Sequence, residues 1–194
     1  MFRIGSILAP SRVGASPISG PVVWLTGMSG AGKTTIAHGL RDVLMTNGVR
    51  SVYIIDGDVL RTGLCSDLAF SEEDKKEQAR RAAELARVVS SLGVLTIVAL
   101  ISPYEEIRKN ARRICGNRFW FEVYVKCSEA ERRKRDPKGL YARLDAGEIS
   151  GMSGVDAPYE EPRQPSVTVD TGEDSVENCL GKIVDKMVSE GLLG

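Results

Sequence analysis

The 194-residue sequence predicts an α/β domain, with a mostly parallel five-stranded sheet and helices on both faces. Three observations predict it. Short β-branched runs alternate with segments of helical periodicity, which implies right-handed crossovers between parallel strands. A glycine-rich octapeptide, Gly27–Thr34, sits between the first such run and the first helical segment. Residues 136–165 lose both periodicities and are rich in Gly and Pro, too long a break for a passive turn and suited to a mobile lid.

The elements follow in order. Val22-Val23-Trp24-Leu25-Thr26 is an apolar strand ending at Gly27. From Lys33 to about Met45, Ile36, Leu40, Val43 and Leu44 recur at helical spacing, and Asn47-Gly48 supplies a stop. Val52-Tyr53-Ile54-Ile55 is the second strand. Ser71 with an acid, Asp74, three residues on is an N-cap signature, opening a helix to about Leu92-Gly93. Val94 to Ile101 is the most continuous apolar run and suits a central strand covered on both faces. A polar helix from about Tyr104 to Cys115, a strand Phe121–Val125 and a helix starting near Ser128 come next. Val167–Val169 gives a fifth strand. Val176, Leu180, Ile183, Val184 and Met187 mark a final amphipathic helix.

Composition bounds the function. Hydrophobic residues make up 42% and charged residues 27%, and 26 basic side chains balance 26 acidic ones. No global field therefore draws the chain to nucleic acid or to an anionic membrane, and affinity for phosphates has to be local. No apolar run approaches the roughly 18 residues that span a bilayer. Cys65, Cys115, Cys127 and Cys179 are scattered, and with one histidine they form no zinc pattern; free thiols in a reducing cytoplasm are the reading. Residues 1–20, with Arg3, Arg12 and no acid, read as a flexible N-terminal arm outside the domain of residues 21–194.

Gly27-Met28-Ser29-Gly30-Ala31-Gly32-Lys33-Thr34 matches G-x-x-x-x-G-K-[ST] in full, after a strand and before a helix. The glycines let backbone N–H groups turn inward around a phosphate, and the helix start adds its positive dipole end. Gly27, Ser29, Gly30, Ala31, Gly32, Lys33, Thr34 and Thr35 are the expected ATP-binding residues. Lys33 reaches the β- and γ-phosphates and Thr34 ligates Mg²⁺. The second strand runs into Asp56-Gly57-Asp58, at the same sheet edge as the phosphate loop. If that strand continues, Asp56 and Asp58 point the same way. Asp58 is then set to orient Mg²⁺ or to accept a proton from an attacking hydroxyl.

From Gly20 to about Gly191 the sequence resembles the adenylylsulfate kinases, P-loop kinases that phosphorylate the 3′-hydroxyl of adenosine 5′-phosphosulfate. The resemblance is carried by Trp24-Leu25-Thr26-Gly27 with the phosphate loop and by Asp56-Gly57-Asp58 with Arg61 and Gly63-Leu64. It continues through Asp67-Leu68, Phe70-Ser71, Asp74, Arg80-Arg81 and Ile101-Ser102-Pro103-Tyr104. It closes with Arg135-Asp136-Pro137-Lys138-Gly139-Leu140-Tyr141, Gly147-Glu148-Ile149, Gly154 and Pro158-Tyr159-Glu160.

The resemblance implies a three-layer P-loop kinase fold, ATP and adenylylsulfate as substrates, Mg²⁺ as cofactor and a homodimer. It implies that Asp58, Lys33 and Ser102 form the catalytic set and that Thr34 and Asp58 hold the metal. On the acceptor side it implies Asp56, Asp58, Arg61, Phe70, Lys75, Gln78, Ile101, Lys138, Leu140 and Met152, with Arg61 on the phosphosulfate, Phe70 stacked on the adenine and Lys138 in the closing lid. Ser102 stands where the family has a serine treated as a phosphorylated intermediate. In-line transfer needs no covalent relay, so a hydroxyl contact or an N-cap before Pro103 is the simpler reading.

Three acceptor-side positions depart from the family pattern. Lys75 stands for Arg, Gln78 for Asn, and Met152-Ser153-Gly154 lacks the Phe that faces the other aromatic ring. Lys cannot make the bidentate contact of Arg. The acceptor is thus adenylylsulfate or a related nucleotide. The rivals are a non-catalytic nucleotide sensor, a P-loop kinase for a sugar or acid, and a nucleic-acid binder using Arg132, Arg133, Lys134 and Arg135. That last run reads more simply as a solvated helix face.

Overall fold

The computed structural model describes residues 19–193. At its centre lies β1 (Val22–Thr26), buried at all five positions. The remaining strands are β2 (Val52–Asp56), β3 (Leu95–Ala99), β4 (Trp120–Lys126) and β5 (Val167–Asp170). They pair in the order β2-β3-β1-β4-β5, every pairing parallel, which removes the "mostly" from the expectation.

The two faces of the sheet are read off alternate residues. Val23 and Leu25 of β1, Ile97 of β3 and Phe121, Val123 and Val125 of β4 face α1 (Lys33–Thr46) and α7 (Val176–Ser189), joined by Ile36, Leu40, Ile183 and Met187. Val22, Trp24, Val98 and Trp120 face the other way, toward α3 (Glu72–Ser90) and α4 (Glu105–Cys115). There Ala79, Ala82, Ala83 and Ala86 are all buried, a small-residue stripe that lets α3 lie close to the sheet. Trp24 and Trp120 stack at 5.2 Å between ring centroids.

Most of the expected elements stand within a residue or two of their expected bounds. Ser71 caps α3 with a full capping box, its Oγ accepting from the Asp74 N–H and the Asp74 carboxylate from the Ser71 N–H. The third strand is shorter than expected: it ends at Ala99, and the chain leaves the sheet through Ser102, whose φ is +40°. The second strand also stops, at Asp56, because Gly57 opens a short helix, α2 (Gly57–Arg61), with Asp56 as its N-cap. The condition under which Asp56 and Asp58 would point alike is therefore not met.

Residues 136–165 hold a short helix, α6 (Leu140–Asp145), following α5 (Glu129–Arg135), and an isolated bridge between Ser153 and Ala157. Of the expected N-terminal arm, residues 1–18 lie outside the described residues. Gly20 does not belong to it: it is buried, and its N–H donates to the Ser90 carbonyl at 2.7 Å. The four cysteines are free, three buried and Cys115 partly so, as the thiol reading expected. Among the described residues no helix is long and apolar enough to cross a membrane.

Ile97 is fully buried in β3 and packs on the α1/α7 face. Ile97→Ala should lower unfolding free energy by about 2–5 kcal/mol, read as a shifted urea midpoint with an unchanged slope.

Candidate active site

A parallel sheet delivers the C-terminal ends of its strands to one edge, and the site is assembled there. β1 is followed by Gly27, whose φ of +154° and close approach to the Val125 carbonyl leave no room for a side chain: a Cβ would lie 2.3 Å from that oxygen. The loop then reaches Gly32, left-handed at φ +88°, the N-cap of α1. No side chain caps α1 and its first turn holds no acid, so its N–H groups remain available to an anion. Ser29, Gly30 and Ala31 complete the cradle, with the Ala31 N–H donating to the Met28 carbonyl at 3.2 Å. Thr35 is exposed beside Thr34.

Lys33 folds back on its own loop, its ammonium donating to the carbonyls of Gly27 (2.7 Å) and Met28 (2.9 Å). Burial pushes its pKa down to about 7, with Lys138 adding repulsion and Asp58 and Asp56 opposing both. Thr34 donates to Asp56 Oδ2 at 2.7 Å. The hydroxyl–carboxylate pair next to the phosphate loop is therefore Thr34–Asp56, whereas the expected metal ligands are Thr34 and Asp58. The reason is local: Asp56 caps α2 through the Asp58 N–H at 2.8 Å, which leaves its second oxygen toward Thr34. Asp58, one residue into α2, turns outward and pairs with Lys138 across 80 residues of sequence.

Arg61 ends α2 and lies under Phe70, its guanidinium 4.3 Å from the ring centroid. It donates to the carbonyls of Leu68 and Ala69 and to Gln78 Oε1 at 2.7 Å. Gln78 is buried and spans the gap, its Nε2 donating to the Gly57 carbonyl at 2.8 Å. Its extra methylene relative to Asn is thus used to tie α3 to both ends of α2. Phe70 is 64% exposed and free to stack. Lys75 donates to the Gly151 carbonyl at 2.9 Å, a tie between α3 and the 136–165 segment. Ile101 and Leu140 are half-buried at the rim.

Two of the expected site residues are buried in this conformation. Met152, expected to face Phe70 across the acceptor, is 9% exposed, so it offers no open face in this conformation. Ser102, placed in the catalytic set, is 2% exposed: its Oγ accepts from the Trp24 indole at 3.0 Å and faces the core. It is not the N-cap of α4 either; Tyr104 is. What the structure gives its hydroxyl is the contact with Trp24.

A model of the adenylylsulphate kinase family matches residues 19–170. The chain belongs to that family. It is 43% identical over 174 residues to the adenylyl-sulfate kinase of Clostridium acetobutylicum, covering 90% of this chain and 86% of that one. To the Staphylococcus carnosus adenylyl-sulfate kinase it is 45% identical over 172 residues, covering 89% and 86%. The solved structure of the Mycobacterium tuberculosis APS kinase CysC in complex with AMPPNP and APS matches with a TM-score of 0.84 at 37% identity, over 89% of this chain and 99% of that chain.

Several site residues of this adenylylsulphate kinase family member were not legible in the sequence. Arg132, assigned above to a solvated face, is 2% exposed; it packs beneath Gly30, donates to the Cys127 carbonyl and reaches Tyr141 Oη at 2.7 Å. Tyr141 Oη in turn donates to the Ser29 carbonyl at 3.3 Å, so α5 and α6 brace the phosphate loop from below. Arg135 donates to the Thr171 carbonyl and hydroxyl, and Thr171 donates to the Ala31 carbonyl at 2.9 Å. Gly154 packs on Met28: a Cβ there would fall 1.9 Å from its sulfur. The i+3 spacing of Arg132 and Arg135 was the one available signal, and it marks a helix face without saying what covers it.

Lys33 carries a prediction. A triphosphate replaces the loop carbonyls as its partner and draws the proton back, so ATP binding above pH 7 should take up protons, approaching about one at pH 8. Calorimetry in buffers of different ionisation enthalpy reads this directly, and Lys33→Met should abolish the uptake.

Proposed function

We propose that this chain transfers the γ-phosphate of ATP to the 3′-hydroxyl of adenosine 5′-phosphosulfate. The observation that carries the reading is Asp58, paired with Lys138 beside an intact phosphate loop in a chain of this family. ATP lies on Gly27–Thr35. Arg61 and Lys75 take the anionic end of the acceptor, with Phe70 on its adenine and Ile101 and Leu140 at its rim. Asp58 accepts the proton of the attacking hydroxyl, and Lys138 turns from Asp58 to the transferring phosphoryl group. Closure of residues 136–165 keeps water from competing for that group.

The donor set at the loop fits Mg²⁺. Thr34 Oγ1 and Asp56 Oδ2 meet at 2.7 Å, both hard oxygen ligands, and Mg²⁺ on a nucleotide needs only one or two from the protein. Those two residues would hold the ion, which would supply charge neutralisation at the β- and γ-phosphates. The reading carries with it a reducing, cytoplasmic setting, in keeping with four free thiols.

Release of ADP with a panel of acceptors tests the reading. Adenylylsulfate at micromolar concentration should support turnover, while AMP, shikimate and gluconate should not. Turnover confined to another acceptor would overturn the substrate, and chelation of Mg²⁺ should stop the reaction in either case. Asp58→Asn should lower kcat by at least about a hundredfold and leave the ATP dissociation constant within about twofold. Unchanged turnover in that variant would remove Asp58 from the chemistry.

A further inference from the structure

Three consecutive carbonyls at the end of β3 are each held by a different element. The Ile101 carbonyl accepts from Thr26 Oγ1 of β1 at 2.7 Å. The Ser102 carbonyl accepts from Arg108 Nη1 of α4 at 2.9 Å. The Pro103 carbonyl accepts from the Glu160 N–H, at the C-terminal root of the 136–165 segment, at 2.7 Å. The same root is tied twice more. Tyr159 Oη lies 3.0 Å from Thr26 Oγ1, and because that hydroxyl spends its single proton on Ile101, Tyr159 is the donor. Glu160 Oε2 accepts from the Glu105 N–H, in the first turn of α4, at 2.7 Å.

The middle tie restrains a costly conformation. Ser102 has φ +40°, a region that residues with a Cβ rarely adopt and keep only when their surroundings enforce it. Apart from a long 3.4 Å contact from Thr26 Oγ1, Arg108 is what holds the Ser102 carbonyl. Arg108 is 3% exposed, an unusual place for a guanidinium, and its ion-pair partner is Glu122 of β4, Nε to Oε1 at 3.2 Å. Glu122 is itself mostly buried, and burial raises its pKa while Arg108 opposes the rise. A buried pair of this kind costs desolvation that a hydrophobic residue of the same volume would not, so its presence is weak evidence of a stabilising role.

We propose that Arg108 is a positioning residue for the acceptor: by holding the Ser102 carbonyl it fixes the Ile101–Pro103 loop, on which both the acceptor rim and the root of the closing segment are seated. The inference rests on the functional reading above, in which Ile101 borders the acceptor. Arg108 touches no substrate in this account and acts through Ser102. Arg108 itself bonds the Ser102 and Tyr104 carbonyls and Glu122, and among the described residues it makes no hydrogen bond to the phosphate loop or α1. The expected signature is therefore a one-sided defect.

Steady-state kinetics of the full chain with ATP-Mg²⁺ and adenylylsulfate, normalised to the ATP-binding fraction, test it. Arg108→Met should raise the adenylylsulfate KM by about tenfold or more and leave the ATP dissociation constant within about twofold. Arg108→Lys, which can still donate to the Ser102 carbonyl, should recover most of the loss. If Arg108→Met fails to fold, Glu122→Gln loosens the same guanidinium and should show the same one-sided change at smaller size. An unaltered acceptor KM, or equal losses on both substrates, would overturn the proposal, since a merely structural role predicts the latter. Wild-type chain that turns over no adenylylsulfate would instead defeat the functional reading, and this inference with it.

Discussion

The site depends on one constraint: β1 lies between β3 and β4 in a sheet whose pairings are all parallel. Because every strand ends at the same edge, each delivers one part of the site there. β1 delivers the phosphate loop and β2 the Asp56–Asp58 turn. β3 delivers the Ile101–Pro103 rim, β4 leads to α5 with Arg132, and β5 to Thr171. Trp24 and Leu25, both fully buried, weld β1 to the two opposite helical layers. That buried centre is what lets a glycine loop be held within hydrogen-bonding distance of residues more than a hundred positions away, as Thr171 and Tyr141 are.

A chain with no net charge builds a strongly charged site by local placement. Lys33, Arg61, Arg132 and Lys138 converge around Asp56 and Asp58, with Lys75 beside Arg61. In the arrangement described, these groups satisfy one another: Lys33 on its own loop, Lys138 on Asp58, Lys75 on Gly151, Arg61 on Gln78. Each tie is of a kind that an incoming phosphate or sulfate oxygen can replace with a charge-assisted bond. Burial is the first cause of the depressed pKa of Lys33, and the neighbouring cations Lys138 and Arg132 add to it.

What could be read in the sequence was what is encoded locally. Short apolar β-branched runs found the strands, 3.6-residue periodicity found the long helices, and an acid three residues on from Ser71 found its cap. The phosphate loop announced itself by eight adjacent residues. Short elements escaped, because five residues of α2 carry too little periodicity to be told from a continuing strand. That one omission hid the fact that Asp56, as the cap of α2, is the carboxylate that Thr34 meets. Burial of polar side chains escaped for a different reason. Arg132 sits in a run of four cations and Arg108 in a polar helix, and nothing nearby in sequence says that Gly30 or Ser102 covers them. Ser102 is the sharpest case: its family position suggested chemistry, and its partner, Trp24, is 78 residues away.

The central claim is that Asp58 and the phosphate loop aim the γ-phosphate at one hydroxyl of the acceptor, and its most direct test is where the phosphate arrives. Adenylylsulfate and ATP-Mg²⁺ are incubated with the chain and the product is assigned by phosphorus–proton correlation NMR. The account predicts a single new phosphomonoester coupled to the ribose 3′ proton, formed in step with ADP. Phosphate on the 2′-oxygen, or free inorganic phosphate in its place, would contradict it.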